Sequence, residues 1–172
     1  QDMALGQLIK GCKKSAIIIV NKCALANKKQ MANGQLKIAK LLPHLTFAPT
    51  LFISAKIGKN ISQIFTAILK VAKERKKTIT QEDLDAFLVK AIAAHEATIY
   101  TKRRQKDKKT ILITAISQLR YDPPVFLMEK NTKEPLPQGY QGFVENKFRE
   151  KFGFIGTPIE FRIKAREKQT TI

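Results

Sequence analysis

Apolar positions along the chain change period several times, and each change predicts an element. Residues 2–10 put Leu5, Leu8 and Ile9 on one side of a helix, with Gly11 placed to stop it. Residues 15–20 are β-branched and apolar on both faces, which suits a strand buried in a parallel sheet. Polar residues follow to Gln30, and a short helix is predicted over 35–42, with Pro43 ending it. Residues 50–53 read as a second short strand. Ile61, Ile64, Phe65, Ile68, Leu69 and Ala72 then recur at helical spacing, closed by the charge run Lys73-Glu74-Arg75-Lys76-Lys77. Strand and helix alternate through this half, as in parallel α/β architecture.

The second half starts at Thr80, which precedes Gln81-Glu82-Asp83 as an approximate capping box with Asp in the third place. Leu84, Phe87, Leu88, Ala91 and Ile92 form the buried stripe of that helix, and His95 extends it. A basic loop over 102–109 leads into a strand over 110–117. Asp122-Pro123-Pro124 interrupts, and 125–129 resumes as a strand; the connection has hairpin length, so antiparallel pairing is predicted. Tyr140, Phe143, Val144 and Phe148 mark a further helix ending near Phe152. In the last strand, 157–164, Ile159, Phe161 and Ile163 alternate with Glu160, Arg162 and Lys164. The order is α-β-β-α-β, a three-stranded sheet with helices on one side.

Composition narrows the function. The chain has 172 residues, is 44% apolar and carries a net charge of +18. That apolar fraction supports a core rather than a disordered tail. That charge attracts polyanions, nucleic acid first and an anionic membrane surface second. No apolar run approaches the roughly 20 residues of a membrane helix, so no membrane span is expected. The N-terminus has no signal-peptide pattern. Cys12 and Cys23 have no ligand partners at metal spacing and read as reduced thiols of a cytoplasmic protein. The first residue is Gln1 rather than Met, and an upstream part is expected.

Two short strings follow the two strands of the first half. Asn21-Lys22-Cys23-Ala24 comes after the first, and Ser54-Ala55-Lys56 after the second. They resemble the N-K-x-D and S-A-K elements of P-loop GTPases, at strand C-termini where open α/β sheets bind ligands. The resemblance implies a guanine pocket in which Asn21 steadies the loops, the Lys22 stem covers one base face, and the Ala55 amide donates to O6. The N-K-x-D aspartate accepts from guanine N1 and N2, and Ala24 stands in its place. Two charge-assisted bonds of roughly 1.5–3 kcal/mol each are therefore missing.

Gly6-Gln7-Leu8-Ile9-Lys10-Gly11-Cys12-Lys13-Lys14-Ser15 nearly spells G-x-x-x-x-G-K-[ST]. Cys12 occupies the lysine position, however, and the stretch runs from helix to strand rather than strand to helix. It reads as structural. With no phosphate cradle elsewhere, the chain alone is not expected to hydrolyse GTP. His44 and His95 stand alone, and His95 reads as a packing residue; no nucleophile–base set and no metal site is apparent.

The end of the chain adds Glu145-Asn146-Lys147-Phe148-Arg149-Glu150-Lys151-Phe152-Gly153-Phe154, then Gly156-Thr157-Pro158-Ile159. With Phe47-Ala48-Pro49, Phe52-Ile53-Ser54-Ala55 and Pro123-Pro124-Val125-Phe126, this closely resembles the C-terminal part of the Der-type (EngA-type) tandem GTPases, over nearly the whole chain. The resemblance implies the last part of the second G domain over residues 1–77, with two parallel strands, and a KH-like domain over 78–172. It implies GTP as the ligand of the intact protein, the large ribosomal subunit and its rRNA as partner, and the absent G domains as neighbours. The first half would then keep a free strand edge and an uncovered sheet face, and is expected to be marginally stable.

Lys102, Arg103, Arg104, Lys106, Lys108 and Lys109 form the candidate RNA contact, gripping phosphates without base readout. Gly153-Phe154-Ile155-Gly156 spells the G-x-x-G of KH loops. It joins helix to strand around apolar residues, so it reads as a helix cap with Gly153 in the left-handed conformation and Phe154 packing back. Three functions stand open: the ribosome-facing portion of an assembly GTPase, a truncated or degenerate non-catalytic RNA binder, and a protein-interaction module that regulates a G domain.

Overall fold

The computed structural model describes residues 2–92, 97–100, 108–137 and 139–165. The chain forms two compact units. The first is Gln1–Lys77 together with Phe154–Pro158; the second is Thr78–Gly153 together with Ile159–Ile172.

In the first unit, α1 (Asp2–Gly11) leads to β1 (Ile18–Val20), α2 (Lys28–Leu41), β2 (Thr50–Phe52) and α3 (Ser62–Arg75). β1 and β2 pair in parallel, Ile18 opposite Thr50 and Val20 opposite Phe52. β1 is shorter than the apolar run predicts, because the run splits its partners. Ile18 N–H donates to Pro49 O, but Ala16 N–H donates to Gly156 O. α2 begins seven residues before the predicted helix. Asn27 accepts from Gln30 N and Gln30 returns the bond to Asn27 N, each at 2.8 Å, a reciprocal cap that holds the polar start of the helix. Gly34 of α2 faces the Phe52 ring, whose nearest atom is 3.7 Å from where a Cβ would stand.

The segment Phe154–Pro158 completes this unit. Phe154 and Thr157 are fully buried. Gly156 donates to Phe47 O at 2.7 Å and its carbonyl accepts from Ala16. It has φ +72°, and a Cβ there would lie 2.3 Å from Val71 Cγ2. Only glycine fits a backbone held this closely at positive φ. α3 and β1 still leave an open apolar groove lined by Ile17, Ile19, Ile64, Ile68, Val71 and Ala72.

In the second unit, α4 (Gln81–Phe87) is capped by Thr80, which accepts from Asp83 N at 3.2 Å. The Asp83 carboxylate accepts from the Thr80 hydroxyl rather than closing a reciprocal box. A π turn, Leu88–Ile92, follows. Next comes a hairpin absent from the predicted order: β3 (Ala97–Tyr100) antiparallel to β4 (Lys108–Ile111). β5 (Ile113–Tyr121), β6 (Pro124–Lys130) and β7 (Glu160–Ala165) form one sheet, β5–β6 antiparallel and β6–β7 parallel. α5 (Tyr140–Phe152) supplies the core: the Phe148 ring lies 5.2 Å from Phe87, 4.6 Å from Phe126, 4.6 Å from Phe152 and 5.4 Å from Phe161. Tilted and edge-on pairs at these distances suit the ring quadrupole.

α5 ends at Gly153, with φ 85° and ψ −101°, and Phe154 itself takes φ 62°. The predicted left-handed conformation of Gly153 is therefore corrected, because its ψ lies far from that region. Two successive positive-φ residues turn the chain, and Phe154 is buried in the first unit.

Candidate functional site

The parallel register that pairs Val20 with Phe52 brings the two strand ends together. Ile53 N–H donates to Val20 O and Cys23 N–H donates to Ile53 O, both at 2.9 Å. Asn21 and the Ser54-Ala55-Lys56 turn thereby become neighbours. The Asn21 side-chain oxygen accepts from Lys22 N at 2.7 Å and from Ala55 N at 3.0 Å. Lys22 sits at φ 67°, a conformation that non-glycine residues adopt uncommonly, where the chain reverses into the turn Cys23–Leu25.

Ser54 is buried, and its backbone forms a two-bond bridge with Lys59. Asn21, Lys22, Ala24, Ala55 and Lys56 are exposed. Sequence reasoning missed Asn60, whose side chain donates to Phe52 O at 2.8 Å and fixes the end of β2. Its φ of 63° is the trace of that role, and no short motif announces it.

The Ala24 methyl offers no acceptor of the kind the guanine N1–H and N2–H edge requires, and the Ala55 amide donates to Asn21. The glycine-rich stretch 6–15 supplies no phosphate cradle. Gly6 lies inside α1 against the side chains of Leu45 and Leu42. Lys13 O and the Ser15 hydroxyl both accept from Arg75, at 3.0 and 3.2 Å, and Ser15 also bonds Thr157 at 3.3 Å. Among the described residues no cluster of His, Cys, Asp and Glu could hold a metal ion. No described helix is long and apolar enough to cross a membrane.

Of the basic stretch, Lys102, Arg103, Arg104 and Lys106 lie outside the described residues. Lys108 and Lys109 belong to β4, opposite Tyr100 and Ile99, rather than to a loop. The G-x-x-G string is no phosphate clamp. Both backbone groups of Gly156 are engaged, and Phe154 and Gly156 are buried. Arg149 of α5 is tied to Glu145 at 2.9 Å; burial lowers its pKa and the Glu145 carboxylate opposes that shift.

Residues 78–164 match the KH-domain-like model of the C-terminal domain of EngA bacterial GTPase enzymes. The chain is 34% identical to GTPase Der of Natranaerobius thermophilus over 171 residues, covering 98% of this chain and 37% of that protein. It is 30% identical to GTPase Der of Herpetosiphon aurantiacus over 174 residues, covering 100% and 37%. With GTPase Der of Geotalea daltonii the identity is 32% over 156 residues, covering 90% and 34%. The chain thus spans about a third of the length of these curated relatives. It belongs to the Der (EngA) family of bacterial GTPases, as a C-terminal portion.

Proposed function

We propose that this chain is the C-terminal portion of a ribosome-assembly GTPase and works by binding, meeting rRNA of the large subunit in the cytoplasm. The observation that carries the reading is a KH-like module over 78–164 in a chain of net charge +18. Such a charge recruits polyanions by releasing their condensed counterions. Lys102, Arg103, Arg104, Lys106, Lys108 and Lys109 serve in this reading as phosphate contacts. GTP belongs to the longer protein. Asn21, Lys22, Ser54, Ala55 and Lys56 are remnants of a guanine pocket, within the last part of a P-loop G domain whose other G domains are the natural neighbours.

Ala24 favours a second reading, a degenerate and non-catalytic RNA binder that has lost nucleotide altogether. Titration of the purified chain with an rRNA fragment and with fluorescent GTP, each at two salt concentrations, tests both. RNA binding that falls steeply with salt, without GTP binding, is expected. Guanine-selective GTP binding would overturn the second reading, in which nucleotide is lost altogether. Absence of salt-dependent RNA binding would overturn the RNA assignment in favour of a protein-interaction module.

A further inference from the structure

The excess charge is unevenly spread along the chain. Residues 1–77 hold fifteen Lys and Arg against two Asp and Glu, whereas residues 78–172 hold seventeen against twelve. Between Asp2 and Glu74 there are twelve lysines and no carboxylate. Asp2 stands in the first turn of α1. Glu74 is engaged, accepting from Phe154 N at 2.7 Å with Lys77 at 3.7 Å. The KH-like part, the obvious candidate for nucleic acid, is close to charge-balanced by comparison.

Several of these lysines gather at one end of the first unit. Lys22 follows β1, and Lys56 and Lys59 follow β2. The bonds from Cys23 to Ile53 and from Ala55 to Asn21 bring the two loops together. Lys22, Lys56 and Lys59 are exposed, as is Lys29 in the first turn of α2, which starts three residues beyond the Cys23–Leu25 turn. That first turn holds no acidic residue. Lysine there opposes the positive end of the helix dipole, so its charge costs stability instead of adding to it. Ala24 removes the carboxylate that an N-K-x-D string would have placed among these lysines.

We infer that the former nucleotide end of the first unit is a polyanion-binding face, formed by Lys22, Lys29, Lys56 and Lys59, which takes a phosphate backbone in place of a free nucleotide. The inference rests on the RNA reading above and adds to it a contact separate from the basic stretch 102–109. Recognition is of charge and spacing, without base readout, because lysine ammonium groups meet phosphates as point charges.

The test compares the full chain with three multiple variants by titration against a mixed-sequence rRNA fragment across a salt series. The first is Lys22→Glu, Lys29→Glu, Lys56→Glu and Lys59→Glu together. The second, Lys10→Glu, Lys40→Glu, Lys73→Glu and Lys76→Glu, changes net charge equally at the C-terminal ends of the three helices of the first unit, Lys76 being the C-cap of α3. The third is Lys102→Glu, Arg103→Glu and Arg104→Glu. The first variant is expected to lose more than tenfold in affinity and to flatten the log–log salt slope by about 0.7 per contact on a single strand. The second is expected to lose less than threefold. Circular dichroism melting checks that each folds, and a Lys→Gln version of the first set replaces any that does not. Equal losses in the first two variants overturn the local face. An unchanged first variant with a weakened third overturns it too, while leaving the RNA reading intact. Wild-type chain that binds no RNA defeats that reading itself. Loss of binding to phosphatidylserine vesicles without loss of RNA binding by the first variant overturns the choice of partner.

Discussion

The carboxylate of Glu74 accepts the amide hydrogen of Phe154 at 2.7 Å across eighty residues of sequence. It is one of two carboxylates in the first 77 residues, and it is spent on fixing the segment that returns to close the first unit. Replacing Glu74 by Ala removes a charge-assisted acceptor from a partly buried amide and should cost about 1–3 kcal/mol. Glu74→Gln keeps an uncharged acceptor and should cost roughly half of that. Urea midpoints with constant slope read both; unchanged midpoints would show that the bond contributes nothing.

Gly156→Ala puts a methyl group 2.3 Å from Val71 Cγ2 at φ +72°. Overpacking of about 1–3 kcal/mol adds to backbone strain of about 1–2 kcal/mol. Val71→Ala in the same chain should recover the packing part and leave the backbone part. A double-mutant cycle measures the difference, and strict additivity would mean that the two positions do not meet.

How much could be read beforehand differs between elements. α3 and α5 were legible because their apolar residues recur at helical spacing over long stretches. The Pro-rich turn between β5 and β6 left their antiparallel pairing readable. The first seven residues of α2 were not, since a reciprocal Asn27–Gln30 cap holds them without an apolar stripe. The β3–β4 hairpin was hidden because Ile99 of Ala97-Thr98-Ile99-Tyr100 also continues the helical stripe that runs from Leu84 to His95. The strand-end strings were legible as local words. Asn21 occupying the Ala55 amide was not, because that bond exists only once the two strands are in register. Phe154–Pro158 was read with its sequence neighbours, and contacts with Ala16 and Phe47 have no local signal.

Ala24→Asp restores the acceptor that the guanine edge needs. Because the 6–15 stretch is a helix end and not a phosphate cradle, the substitution should leave fluorescent GTP unbound at micromolar concentrations. Guanine-selective binding by this variant would mean that the loss of the carboxylate alone had silenced the pocket.

Lys29→Glu exchanges an unfavourable charge in the first turn of α2 for a favourable one. A gain of about 0.3–1 kcal/mol at low ionic strength is expected, shrinking with added salt. Thermal melts at two salt concentrations check it. A loss of stability would indicate that the exposed lysine makes a contact worth more than its quarrel with the dipole.

The membership of Phe154–Pro158 in the first unit bears on the order in which the chain can fold as it is made. The Ala16 amide and the Phe47 carbonyl have been synthesised more than a hundred residues before Gly156 arrives to meet them. Until then the first unit lacks the fully buried Phe154 and Thr157 side chains and the two backbone bonds of Gly156. A nascent chain halted before residue 158 would expose residues 1–77 to protease for as long as the pause lasts, however completely those residues have left the exit tunnel.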